Sequence, residues 1–163
     1  MLFRSRTQRP FTHELAEMVR YAVGYKSRVF LTFGAPIPVA GVDPESKGDV
    51  LAFAKLVRAR IGALHKVVPT AVFAASMTPS ITRADLEARA DRLISALAAR
   101  GANLDVTSGR EAVARAAHPL ETRGIVVSER GRFRVRNRSV LRYYARTIAH
   151  LLESAGQIGR AHV

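Results

Sequence analysis

The sequence predicts an α+β fold, mostly helical, with a buried strand early in the chain and one β-hairpin late. Three observations carry that prediction. The run VFLTFGAPIPV, Val29 to Val39, is rich in Val and Phe and ends in Gly and Pro, the pattern of a buried strand leaving a sheet. Apolar residues recur at helical spacing in several separate windows. Between Gly124 and Val135, two short β-rich arms flank Glu129, Arg130 and Gly131, the pattern of a hairpin.

Taken in order, Phe11 to Gly24 reads as a helix, with Leu15, Met18, Val19 and Ala22 on one stripe. The strand at Val29 to Phe33 follows. Gly34 permits a turn where a Cβ would clash, and Pro36 and Pro38 hold the exit extended. Asp43-Pro44 marks a turn. From Glu45 to about Lys66, Val50, Phe53, Leu56, Val57, Ile61 and Leu64 share one helical face, with Lys55, Arg58 and Arg60 opposite. Pro69 breaks or restarts that helix. Val68 to Met77 is apolar nearly all round and reads as a buried helix, and Thr78 to Ile81 as a loop.

Thr82 with Asp85 makes a capping-box-like start, and Leu86, Ala90, Leu93, Ile94 and Leu97 carry a buried stripe to a stop at Gly101. Ser108 caps a shorter helix, Arg110 to Ala117, ended by Pro119. After the hairpin, Asn137 or Ser139 caps a final helix with Leu141, Tyr144, Ile148 and Leu151 on one side and Arg142 and Arg146 on another.

Length and composition narrow the function classes. A chain of 163 residues buries a core without staples, and the absence of Cys excludes disulfides and thiolate metal sites. The run Val67 to Met77 is too short to span a bilayer, and MLFRSRTQRP lacks the apolar core of a signal peptide. A net charge of +13, mostly Arg, attracts nucleic acid, anionic lipid or phosphorylated metabolites, although a GC-rich genome also yields Arg and Ala. The termini read differently. IGRAHV, residues 158–163, is what ATC GGA AGA GCA CAC GTC encodes, and LFRS is what CTC TTC CGA TCT encodes; the two look like a sequencing adapter and its partner read in frame. Residues 1–5 and 158–163 are therefore expected to be adapter read-through and are left out of the fold reading. A longer genomic frame that still encodes them would refute this.

Three blocks then line up: FGAPIPV (Phe33 to Val39), VVPTAVFAASMTPSITRADLEARADRLISAL (Val67 to Leu97) and SVLRYYARTIAHLL (Ser139 to Leu152). Their order resembles bacterial glycerol-3-phosphate 1-O-acyltransferase. In that family a strand ends in a G-E-P-type turn, a small-residue helix precedes an S-x-T-R-x-x-L capped helix, and a late helix carries Y-Y-x-N-x-I-A-H-x-L. The matching positions here are Gly34, Pro36, Tyr143, Tyr144, Ile148 and His150. Ala35 replaces the usual Glu, and Arg146 stands near the usual Asn. The resemblance implies that residues 6–41 are the end of an acyltransferase α/β domain, contributing its last strand, and that residues 42–157 are a helical C-terminal region. It also implies, through the parent enzyme, acyl-carrier protein or acyl-CoA as donor and glycerol 3-phosphate as acceptor. The expected place is peripheral, on the cytoplasmic face of the membrane, beside the rest of the parent acyltransferase.

That family uses a His-x-x-x-x-Asp pair, in which a positioned His takes the acceptor proton, and a Phe-Pro-Glu-Gly segment. Five residues after His13, His65, His118 and His150 stand Met18, Thr70, Arg123 and Ala155; His162 has no fifth residue after it; and no Phe-Pro-Glu-Gly occurs. The chain alone is expected to be inactive, with no catalytic, metal or cofactor residues of its own. No Gly-rich phosphate loop or Gly-x-Ser-x-Gly elbow appears either. His150 reads as a structural His satisfied by a neighbour, with headgroup contact as the alternative, and Tyr143 and Tyr144 as packing residues. Arg132, Arg134 and Arg136 alternate on a strand and, with Arg138 and Arg142, make either a solvated basic face or a contact for an anionic membrane or acidic carrier protein. A rival reading is a basic winged-helix-like nucleic-acid-binding module, with the hairpin as wing. Its recognition helix would be short and poor in base-reading residues, and no nucleic-acid partner is expected.

Overall fold

The computed structural model describes residues 28–152. The chain divides into two units, Met1–Leu31 and Thr32–Val163, and of the first only residues 28–31 are described. The expected helix at Phe11 to Gly24 lies outside the described residues.

The expected strand at Val29 to Phe33 is not formed. Residues 28–39 have no regular structure, and Leu31 and Phe33 are 81% and 91% exposed. A strand needs a partner for its alternate backbone groups, and among the described residues none lies beside it. After a turn at Asp43, Ser46 accepts from the Asp49 amide and caps α1, Lys47–Ala63. The apolar stripe predicted for this helix is present in sequence but not in the core: no residue of α1 is buried. Phe53 and Val57 are half-covered, whereas Val50, Leu51, Leu56 and Ile61 are exposed.

The body of the second unit begins at β1, Lys66–Val67. Pro69 then starts α2, Pro69–Ser76, at a position where its missing N–H costs nothing. Strand β2, Ser80–Thr82, leads directly into α3, Arg83–Ala98. Thr82 Oγ1 accepts from the Asp85 amide at 3.1 Å and donates to the Asp85 carboxylate at 2.6 Å. At the far end Gly101 adopts φ +73°, its amide reaches Ala98 O, and Ala102 N reaches Leu97 O, which closes the helix in a Schellman motif. Strand β3, Asn103–Leu104, pairs in parallel with β1.

Helix α4, Gly109–Thr122, is capped by Ser108 and runs through Pro119, where the sequence reading ends it. An interior proline costs a lone helix about 3 kcal/mol. Here Leu120, one residue later, is fully buried and accepts from the Ile125 amide, so the last turn is held by the core. Strands β4, Val126–Glu129, and β5, Arg132–Val135, form the predicted hairpin. Its two-residue turn has Arg130 at φ 51° and Gly131 at φ 74°, the twist-matched geometry for such a turn. The segment read as a loop at Thr78 to Ile81 supplies β2 instead, and the sheet order is β2-β5-β4, antiparallel throughout.

Asn137 caps α5, Arg138–Arg146, and α6 is Ala149–Leu152. The single final helix expected from the sequence is thus broken. Thr147 donates both its amide and its hydroxyl (2.7 Å) to Tyr144 O, which tightens the chain and turns Ile148 inward. Two cores result. One joins Phe73, Leu86, Val113, Leu120, Phe133 and Leu141. The other joins Val67, Val72, Ile94, Leu97, Ala112 and Ile148. Helices α2 and α4 contribute to both. At their crossing with α3, Gly109 donates to Asp91 Oδ1 at 2.6 Å, and a Cβ at Gly109 would collide with the Glu87 carbonyl oxygen.

Candidate anion-binding cleft

The basic residues singled out in the sequence separate into two groups. On β5, Phe133 and Val135 face the core, and Phe133 meets Phe73 edge-to-face at 5.2 Å. Alternation therefore turns Arg132 and Arg134 outward. Arg132 lies across from Thr82 and Glu129, and Arg134 across from Ser80 and Val127. Arg132 Nε donates to Ser80 Oγ at 3.3 Å, and Arg134 approaches Glu129 at 3.7 Å. These exposed pairs contribute little to stability.

Arg136 follows the last residue of the strand, and it and Arg134 reach the two oxygens of the Glu129 carboxylate. The strand ends at Val135, and the amides of Arg136 and Asn137 both donate to Ile125 O. That turn leads into the start of α5. There Arg136, Arg138 and Arg142 line one open cleft of about 360 Å³. Ala74, Met77, Pro79, Val135 and Leu141 supply its apolar lining, Thr78 adds a hydroxyl, and no carboxylate lines it. Arg136 approaches Glu129 at 3.5 Å, an exposed and weak contact. Arg138 and Arg142 have no hydrogen-bond or ion-pair partner among the described residues.

The residues of the late Tyr143–Leu152 motif are spread over the end of α5, the break after it and α6. Ile148 is fully buried in the second core. Tyr144 accepts at its hydroxyl from Arg123 Nη1 at 3.1 Å, and Tyr143 rests edge-on against Tyr144 while largely exposed. His150 Nε2 lies 3.0 Å from Gly62 O at the end of α1, and its ring meets His65 edge-to-face at 5.6 Å. Burial, then the charge of His150, lowers the pKa of His65. Gly34 has an exposed backbone, and a Cβ there would meet Leu64 Cδ1 at 2.9 Å; Pro36 is exposed.

Among the described residues no group of three or more His, Cys, Asp or Glu is placed to hold a metal, and no helix is long and apolar enough to cross a membrane. The most strongly held acid is Glu111. It accepts from the Thr107 amide (2.8 Å) and hydroxyl (2.9 Å) and from Arg115, and its pKa is lowered to about 2, chiefly by the Thr107 amide. Arg115 also pairs with Asp105 at 2.5 Å. This network braces the start of α4 and leaves Arg110, Ala114 and His118 on that helix's exposed face.

The sequence reading grouped the three cleft arginines with Arg132 and Arg134 and did not set them apart. Their i, i+4 spacing on α5, with Arg136 just before the Asn137 cap, is the signal that groups them. Met77 and Pro79 were not singled out as wall residues, because they come from a segment distant in sequence. Compared with protein-family models, curated proteins and solved structures, the chain matches none.

Proposed function

We propose that this chain is the C-terminal region of a glycerol-3-phosphate acyltransferase, working with the rest of that enzyme at the membrane surface. The parent transfers an acyl group from acyl-carrier protein or acyl-CoA to glycerol 3-phosphate, and this chain by itself transfers none. The observation that carries the reading is the Tyr143–Leu152 motif, whose residues fall on structural joints. Ile148 seals a core, Tyr144 receives Arg123, and His150 ties the last helix to α1 through Gly62 O. A motif made of joints fits a region that supports a catalytic half instead of reacting itself. The exposed arginines, 132, 134, 136, 138 and 142, supply peripheral attraction to anionic lipid on the cytoplasmic face, each adding about 1 kcal/mol near such a surface. Deleting this segment from the full-length enzyme abolishes acyl transfer to glycerol 3-phosphate on this reading. Retained turnover in the deletion, or turnover by this chain alone, overturns it.

A second reading is favoured by connectivity. The order α2, β2, α3, β3, α4, β4, β5, with sheet order β2-β5-β4 and the two-residue β3 paired elsewhere, is the outline of a winged helix with a basic wing. Helix α4 is also longer than the sequence suggests, so its length no longer counts against recognition. Its exposed face remains poor in base-reading groups, since Arg115 is committed to Asp105 and Glu111. Fold of itself does not decide function. Duplex DNA binding that falls steeply with salt and discriminates among sequences would favour this reading over the first.

A further inference from the structure

We propose that the cleft between α2 and α5 binds a phosphomonoester carried on a hydrocarbon stem, the headgroup of a phosphatidate-type lipid at a membrane surface. Arg136, Arg138 and Arg142 line the cleft, and no carboxylate lines it. Arg138 and Arg142 sit at i, i+4 on one short helix, where like charges repel. Neither has a partner among the described residues, and Glu129, which reaches Arg136, is shared with Arg134. An anion in the cleft relieves that repulsion.

The chemistry selects among anions. Guanidinium forks match phosphate oxygens in bidentate geometry. A phosphomonoester carries three terminal oxygens and close to two charges, enough to occupy several forks, whereas a phosphodiester offers two such oxygens and one charge. The other side of the cleft is apolar, from Met77, Pro79 and Leu141, and gives a free phosphate nothing to bury. A volume of about 360 Å³ suits a headgroup with the first carbons of its stem. Arg132 and Arg134 lie on the open face of the sheet and do not line this cleft. This proposal rests on the cleft alone and holds whether or not the chain belongs to an acyltransferase.

Flotation of the whole chain with phosphatidylcholine vesicles tests it, the vesicles carrying either phosphatidate or phosphatidylserine at matched surface charge. Binding should be about tenfold tighter to phosphatidate. Removing two cleft charges in R138A/R142A should weaken binding to phosphatidate about 30-fold and erase the preference. R132A/R134A removes the same charge elsewhere and should keep the preference. R138K/R142K retains charge without the forks and should lose the preference at nearly unchanged phosphatidylserine binding, which decides the matter if the alanine pair fails to fold by circular dichroism. Equal binding to both lipids overturns the proposal. So does a preference that survives R138K/R142K, or inorganic phosphate competing as well as soluble short-chain phosphatidate.

Discussion

Helices α1 and α3 are nearly equal in length, 17 and 16 residues, and each carries an apolar stripe at helical spacing. Their fates differ. In α3, Leu86, Ala90, Ile94 and Leu97 are buried against α2 and α4, whereas α1 buries nothing. Both are capped, by Ser46 and by Thr82, so local signals do not separate them. The difference lies in neighbours. Helix α3 is flanked by β2 and β3, which hold it against the core, whereas among the described residues the main neighbour of α1 is the short α6, through His150 at Gly62. Periodicity sets which face of a helix can be buried, and the availability of a complementary surface sets whether it is.

Truncation in the two helices breaks or sharpens this contrast. Leu97→Ala should lower unfolding free energy by about 3 kcal/mol in urea titrations, since it leaves a cavity in a closed core. Next is Gly109→Ala, where the new Cβ drives α4 from α3; a loss of about 2–3 kcal/mol is expected from the same measurement.

Acid should separate the regions too. Glu111 has a folded-state pKa of about 2 against 4.5 unfolded. Its stabilisation is therefore complete above pH 4.5 and is lost as pH falls from there towards 2, and Glu111→Gln should flatten the thermal-melt profile across that window. His65 behaves in the same direction at milder pH. Its pKa is lowered from 6.5, so the unfolded chain takes the proton first, and stability declines as pH falls below 6.5. Amide exchange in α1 should accelerate there while α3 stays protected, and His65→Gln should remove the effect. The smallest change belongs to α1. Leu56→Ala and Ile61→Ala should each shift stability by no more than about 0.5 kcal/mol, because those side chains already face solvent. A loss there equal to that of Leu97→Ala would show that α1 is covered in solution and end the contrast.

Much of the fold was legible residue by residue. The caps at Thr82 and Ser108, the stop at Gly101 and the Arg130-Gly131 turn depend on backbone groups within a few positions and were placed directly, whereas the last cap, at Asn137, was narrowed only to Asn137 or Ser139. Strand β2 was not legible, since three residues ending in a helix cap look like a loop until β5 pairs with them. The parallel pairing of β1 with β3 was hidden for the same reason, with 37 positions between Lys66 and Asn103. Pro119 misled because a proline inside a helix is tolerated only when the following turn is anchored, and the anchor, Leu120, is a tertiary fact. Of the cleft, the arginines were visible and the wall was not.

The sequence by itself determined the local vocabulary: which segments turn, which cap, where the hairpin reverses and where positive charge concentrates. Those features arise from hydrogen bonds and dihedral limits spanning a few residues. Only the tertiary structure decided which apolar faces are buried, that β2 pairs with β5, and that Arg136, Arg138 and Arg142 line one cleft beside Met77 and Pro79. Burial and convergence depend on surfaces far apart along the chain, and no short-range rule encodes their meeting.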